Sequence, residues 1–282
     1  MNLDTATASA QANQDDSRLD VRLRRLKEEG VGTGLYWWSE ALLVLTFYVV
    51  YSWSRNQFGS ATVQPDEALR NAVRVIDLEK ALGLFQELRI QEWFLDSTFF
   101  LQFWNLFYGT AHFGVTIFTL VWLYRRYPVL YPRLRSSFLC TTGLALVGFS
   151  LFPLMPPRLL ADCGEFGGCL AAYPFVDTLS EAGGLWSFDS GTMQKISNQY
   201  AAMPSLHFAW AAWCALALYS VLRSPFTRAL AVAYPVATLF AVIVTGNHYW
   251  IDALGGVAVL GAGVLLGRTL ADAWHRWSFR NA

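Results

Sequence analysis

The stretch TGNHYWIDALGG, Thr245 to Gly256, sets an imidazole and a carboxylate, His248 and Asp252, four residues apart where a long apolar run begins. On a helix, residues i and i+4 share a face, so the carboxylate can accept the Nδ1 proton, fix the tautomer and leave Nε2 as a nucleophile. A second imidazole, His207 in AAMPSLHFAW, lies 41 residues earlier. About 20 apolar residues cross a bilayer, so that interval fits two crossings and returns both rings to one side. Arg158 follows Pro156-Pro157 in FPLMPPRLL, which end the preceding apolar run, and arginine suits a bidentate grip on phosphate. Pro204 fits a first helical position before His207, and Asn247 fits a cap before His248. Two helix N-termini then add amide N–H groups and positive dipole ends. The set points to a phosphate ester, with Ser205 and Asn247 counted beside Arg158 among the phosphate-facing groups.

Weaker candidates surround these. Asn105, Tyr108 and His112 in WNLFYGTAHFG share a helix face. They either line the same cavity or bond a neighbouring helix. Lys195 and Asn198, in the loop before His207, either face the phosphate or are plain loop residues. His275, beside Trp274, reads as a surface residue.

The elements that must position these groups follow from composition. The chain of 282 residues is 54% hydrophobic and 15% charged, with apolar residues in runs, which is too greasy for a soluble domain. Net charge is zero and no basic stripe carries interleaved aromatics, so nucleic acid is not an expected partner. Six apolar stretches of spanning length are expected at 35–53, 97–123, 137–155, 203–222, 227–246 and 249–267. The predicted fold is all-α: a polytopic membrane protein, a six-helix transmembrane bundle with an extra amphipathic interfacial segment. That segment, 65–96, starts at Pro65-Asp66-Glu67 and breaks near Gly83, with Leu69, Val73, Ile76, Leu84, Leu88 and Phe94 as its apolar face. Residues 1–34 read as a polar, basic tail, 35–270 as the membrane domain with an outer loop at 156–202, and 271–282 as a second tail.

Lys and Arg number fourteen on the connections shared with the two termini and seven on the others. This places both termini in the cytoplasm and the histidines on the extracytoplasmic side of the cell membrane. Cys140 and Cys214 fall inside spans as small apolar residues. Cys163 and Cys169 lie in the outer loop, where an oxidising exterior permits a disulfide; two unpaired thiols are the alternative. No compact metal-ligand spacing occurs, so neither a metal nor another cofactor is expected.

AAMPSLHFAW and TGNHYWIDALGG resemble the second and third signature motifs of the type 2 phosphatidic acid phosphatase superfamily. The Pro156-Pro157-Arg158 element resembles its branch of inositol phosphorylceramide synthases and bacterial relatives. The likeness covers about residues 68 to 267. It implies metal-independent phosphoryl transfer through a phosphohistidine: His248 attacks phosphorus, Asp252 orients it, His207 protonates the departing oxygen and Arg158 holds the phosphoryl oxygens. Three departures stand out. Leu151 replaces a Lys usually seven residues before the Arg, Val242 replaces an Arg six before the last His, and Leu206 replaces the Gly of Ser-Gly-His. Lys195 or His112 is the expected substitute for a missing cation.

The expected activity is therefore a lipid phosphatase or phosphotransferase acting on a phosphorylated lipid in the bilayer. Water as acceptor gives a phosphatase; an inositol or sugar hydroxyl gives a transferase. From other classes, a transporter or proton relay would also place ionisable groups in spans. A metal hydrolase would need His112 to complete a ligand set.

Overall fold

The computed structural model describes residues 36–58, 65–181 and 199–280, so the polar tail, Lys195 and Asn198 lie outside it, as does the side chain of His275. The described chain is helical. The described α-helices are α1 (Trp37–Phe58), α2 (Pro65–Ala81), α3 (Glu87–Glu92), α4 (Thr98–Arg126), α5 (Tyr131–Leu151), α6 (Thr178–Glu181), α7 (Leu206–Tyr219), α8 (Pro225–Val244) and α9 (Trp250–Arg280). A single 3-10 turn at Pro157–Leu159 follows α5.

By length and apolar composition, α4, α5, α8 and residues Trp250–Ala273 of α9 can each cross a bilayer. Their outer faces remain greasy: Phe99, Leu151 and Phe226 are among the large apolar side chains left exposed. Such a surface suits lipid rather than water. The expected span at 203–222 is shorter as a helix, Leu206–Tyr219, whereas α1 runs over most of the expected span at 35–53, with Trp37–Val50 as an apolar stretch. For α7 the reason is local. Ser205 leaves the helix to donate its N–H to the Asp252 carbonyl at 2.9 Å, and Pro204 packs on Gly148 outside the helix rather than opening it. The 14 residues of α7 therefore rise about 21 Å, less than a hydrocarbon core of about 30 Å.

α7 sits between α4, α8 and α9, and α5 packs along α9. That last contact needs glycine. A Cβ on Gly263 would lie 2.2 Å from Thr141 Oγ1 and 2.6 Å from Thr141 N, and one on Gly267 would lie 2.4 Å from the Ser137 backbone. The crowding is against main chain, which cannot swing aside. Gly267→Val is expected to cost about 3 kcal/mol or more. It should depress the unfolding temperature in detergent, whereas Gly261→Ala, which meets nothing within 4 Å, should not. Equal melting of the two variants would contradict this packing.

Two buried clusters mark the two ends of the bundle. Leu123, Tyr127, Tyr131, Phe138, Trp213 and Val221 fill one. Ala68, Ala72, Val75 and Ile76 of α2 pack with Leu154, Met155, Leu160, Phe175, Tyr200 and Tyr249 in the other. The amphipathic segment thus docks on the loops at the end where α7 and α9 begin. α2 does start at Pro65, and the turn after it uses Gly83 at φ +70°, a left-handed conformation that glycine tolerates. Its buried face differs from the expected one, however. Ala68, Asn71, Ala72, Val75, Ile76 and Glu79 turn inward while Leu84 is exposed. Small residues let α2 approach closely, and its inward polar groups find partners: Asn71 Nδ2 donates to the Pro153 carbonyl at 2.9 Å. In the loop below, Cys163 and Cys169 are disulfide-bonded.

Candidate functional site

The start of α7, the end of α8, the start of α9 and the loop after α5 meet at this end. The chain runs away through α7 and returns through α8, so His207 and His248 come back to one place. Their ring centroids lie 5.7 Å apart, edge to face at 63°. His207 is the second residue of α7, whose Ser205 cap accepts the Phe208 N–H at 3.4 Å. His207 stacks on Tyr108 at 4.4 Å and meets the edge of His112 at 4.3 Å. Asparagine 105, one turn earlier on α4, is turned elsewhere. It donates to the Thr178 carbonyl at 2.7 Å and accepts the Thr178 hydroxyl at 2.9 Å, so it holds α6. Of the three α4 residues read as cavity lining, Tyr108 and His112 reach the imidazoles and Asn105 braces a loop.

His248 is 3% exposed and Asp252 is fully buried. His248 Nδ1 lies 3.1 Å from Asp252 Oδ2. A carboxylate only accepts, so Nδ1 donates in this bond and Nε2 is the nitrogen the carboxylate leaves unheld. The same Oδ2 accepts the Tyr249 N–H at 2.9 Å, which is the return half of a capping box, from the third helical residue to the residue before the helix. Oδ1 has no hydrogen-bond partner among the described residues. His112 is fixed in the same sense, since its Nδ1 lies 2.9 Å from the Tyr108 carbonyl and must donate.

Asn247 does not cap α9, which begins at Trp250. Its Nδ2 donates to Thr245 Oγ1 at 2.9 Å and its Oδ1 accepts Arg158 Nε at 3.1 Å. The Arg158 backbone N–H also donates to the Gly246 carbonyl at 2.8 Å, so Arg158 brackets the two residues before His248. Gly246 takes φ +69° there, and a Cβ on it would come within 2.9 Å of Gln91 Nε2. The remaining arms of the guanidinium reach Asp177 Oδ2 at 2.7 Å and Gln199 Oε1 at 2.5 Å. Ser205, fully buried, spends its hydroxyl on the helix cap. The side chains of Ser205 and Asn247, expected to face phosphate, are thus engaged with protein groups and organise their neighbours.

The open amide N–H groups expected at the start of α9 are also taken. Trp250 N–H donates to Glu87 Oε1 at 3.2 Å and Ile251 N–H to Glu79 Oε1 at 2.9 Å. Both glutamates are fully buried. Gln91, one turn after Glu87, pairs with the Val176 N–H at 2.9 Å and the Val176 carbonyl at 3.0 Å. Glu79, Glu87, Gln91, Asp177 and Gln199 were not singled out from the sequence. Only Glu79 carried a signal, since it continues the inward stripe of Ala68, Ala72 and Val75 at helical spacing.

Beside Arg158 a cleft of about 450 Å³ opens, lined also by Asp162, Glu165, Asp177, Glu181 and Gln199. Among the described residues no group of three His, Cys, Asp or Glu side chains is placed to hold a metal ion. The arrangement offers a ring nitrogen not held by the carboxylate, a second imidazole across a narrow gap and a guanidinium nearby. Such a set can attack, protonate and neutralise a phosphoryl group. The family model described as the PAP2 superfamily matches residues 73–266. No curated protein and no solved structure matches the chain.

Proposed function

Because the chain belongs to the PAP2 superfamily, we propose that it cleaves or transfers the phosphoryl group of a lipid phosphate through a covalent intermediate on His248. The observation that carries the reading is the facing pair of rings, 5.7 Å apart, one of them oriented by a buried carboxylate. In the first step His248 Nε2 attacks phosphorus, the ester P–O bond breaks, and His207 gives its proton to the departing oxygen. In the second step an acceptor hydroxyl gives its proton to His207 and attacks phosphorus, and the P–N bond breaks. His207 is buried among Tyr108, His112 and His248, so the dianionic substrate supplies the counter-charge its protonated form needs. Arg158 binds the phosphoryl oxygens by exchanging contacts it now makes with Asp177 or Gln199. No metal takes part.

The same reading puts six segments across the cell membrane, with α1 and the 203–222 stretch that contains α7 completing the bundle, both termini cytoplasmic and the imidazoles near the outer leaflet. The two-to-one bias of basic residues supports it. The cleft beside Arg158 favours a second form of the reaction, in which a polyol hydroxyl replaces water as acceptor, because its polar lining suits hydroxyl groups.

The test is turnover in detergent. With EDTA present, wild type is expected to release phosphate from a lipid phosphate, and added inositol or another polyol is expected to yield that polyol's phosphate monoester if the cleft binds acceptors. Activity that collapses with EDTA and returns with a divalent cation would overturn the metal-free mechanism. Phosphate release unaffected by polyol, with no polyol phosphate formed, would leave water as the acceptor.

A further inference from the structure

We propose that Glu79 and Glu87 are positioning residues: a buried carboxyl–carboxylate pair that shares one proton and holds the first turn of α9, and with it the His248–Asp252 dyad, against α2 and α3. The proposal rests on the phosphoryl-transfer reading above for its catalytic consequence, but not for its structural part.

Each glutamate supplies one oxygen to one helix N–H. Glu87 Oε1 takes Trp250 and Glu79 Oε1 takes Ile251, the first two N–H groups of α9. Nothing else in the helix can satisfy those donors, since N-terminal amides have no intrahelical acceptor. The dyad begins immediately beside them: His248 is two residues before Trp250, and Asp252 is one residue after Ile251. The two carboxyl groups come from separate helices across the Gly83 turn, so the docking of the whole 65–92 segment is read out at the His248 ring.

The other oxygens show why a proton belongs there. Glu87 Oε2 accepts the Gln86 N–H at 2.9 Å. Among the described residues the buried Glu79 Oε2 has no hydrogen-bond partner, and the Glu87 carboxyl lies beside it. Two ionised carboxylates in contact and out of water repel strongly, whereas one proton turns the orphan oxygen into a donor. Burial first, then Glu87, and more weakly Asp252 push the Glu79 carboxyl up to about 9, against the pull of the Ile251 N–H. The titratable groups facing the pair are Asp252 from α9 and Tyr249 before it, with Tyr173 beyond Tyr249 and bonded to Lys80. The Tyr249 phenol, buried and surrounded by carboxylates, is raised well above its usual value and donates to the Met155 carbonyl at 3.1 Å, so it stays neutral.

The experiment compares Glu79→Gln, Glu79→Leu and wild type in the full chain. Glutamine keeps an acceptor for Ile251 and a donor toward Glu87, whereas leucine keeps neither. Glu79→Leu is expected to lose about 10-fold or more in kcat with KM within about 2-fold, because a misplaced dyad weakens the reaction rather than substrate binding. Glu79→Gln should restore most of that loss, and its kcat relative to wild type should climb as pH passes about 9, where wild type loses the shared proton. Without substrate, infrared spectra of wild type should show a protonated carboxyl stretch that fades through the same pH and is missing from Glu79→Gln. If glutamine is as damaging as leucine, or if the two spectra coincide, the proposal fails. An inactive wild type that still shows the band would fail the functional reading while leaving the carboxyl pair standing. Should Glu79→Leu not fold, the glutamine ratio and the spectra decide alone.

Discussion

Replacing His248 by alanine is expected to lower the turnover of a lipid phosphate by on the order of 10⁴-fold or more, with residual activity no different from that of the doubly substituted His207→Ala/His248→Ala protein. The size follows from the role. A ring nitrogen that forms the bond to phosphorus is expected to have no substitute in the site, because among the described residues only His248 is oriented by a carboxylate, whereas His112 Nδ1 meets the uncharged Tyr108 carbonyl. The non-additivity follows as well: once the attack is gone, a group that protonates the leaving oxygen has nothing to assist. Alanine also strips Asp252 of its imidazole partner, leaving its carboxylate, fully buried, with the Tyr249 N–H as hydrogen-bond donor. Folding therefore needs its own control. His248→Asn, which keeps an N–H donor near Asp252, should melt closer to wild type while remaining as inactive as His248→Ala. Kinetic assay and thermal unfolding of both variants check the pair of outcomes together. A His248→Asn protein with near-normal turnover would remove the nucleophile from the account.

Replacing His207 by alanine is expected to have the second largest effect, and one that depends on the substrate. General acid catalysis contributes about 10²- to 10⁴-fold when the departing oxygen is a poor leaving group, as an alkoxide of a lipid is. A nitrophenolate leaves without a proton, so the same variant should lose about 10-fold or less on a nitrophenyl phosphate. His248→Ala should lose activity equally on both, since attack is needed whatever leaves. The structure favours this division of labour. Among the described residues His207 has no carboxylate partner of the kind that orients His248, and it lies in ring contact with Tyr108 and His112, which set its plane. Rates on the two esters for both variants give a four-way comparison. Equal losses for His207→Ala on the alkyl and aryl esters would show that His207 acts by placement rather than by proton transfer.

The parts of this site that could be read from the sequence are those whose partners are near in the chain or set by span length. His248 and Asp252 meet because they are four apart on one helix. His207 meets His248 because two helices, α7 and α8, separate them. Pro65 and Gly83 punctuate α2 as turn chemistry requires. What was not legible are contacts made across the fold. Ile251 and Trp250 find Glu79 and Glu87 from 172 and 163 residues away, and no local pattern announces such pairs. Read alone, Glu87 belongs on the wet face of an interfacial segment and Glu79 only continues the alanine stripe of α2; the docking of α2 and α3 makes both internal. The same docking overturns the expectation of open N–H groups at the start of α9. The α7 stretch was read as a full span from its apolar content, but Pro204 and Ser205 are drawn out of the helix by Gly148 and Asp252, partners supplied by other elements.

The central claim is a covalent bond between His248 and phosphorus, and rapid quenching tests it most directly. Wild type mixed with lipid phosphate labelled with ³²P and stopped in alkali should carry label that resists base, is lost in acid, and maps to the peptide containing His248. His248→Ala should carry none. Turnover at the wild-type rate with no label on that peptide, or equal labelling of the alanine variant, would contradict the account.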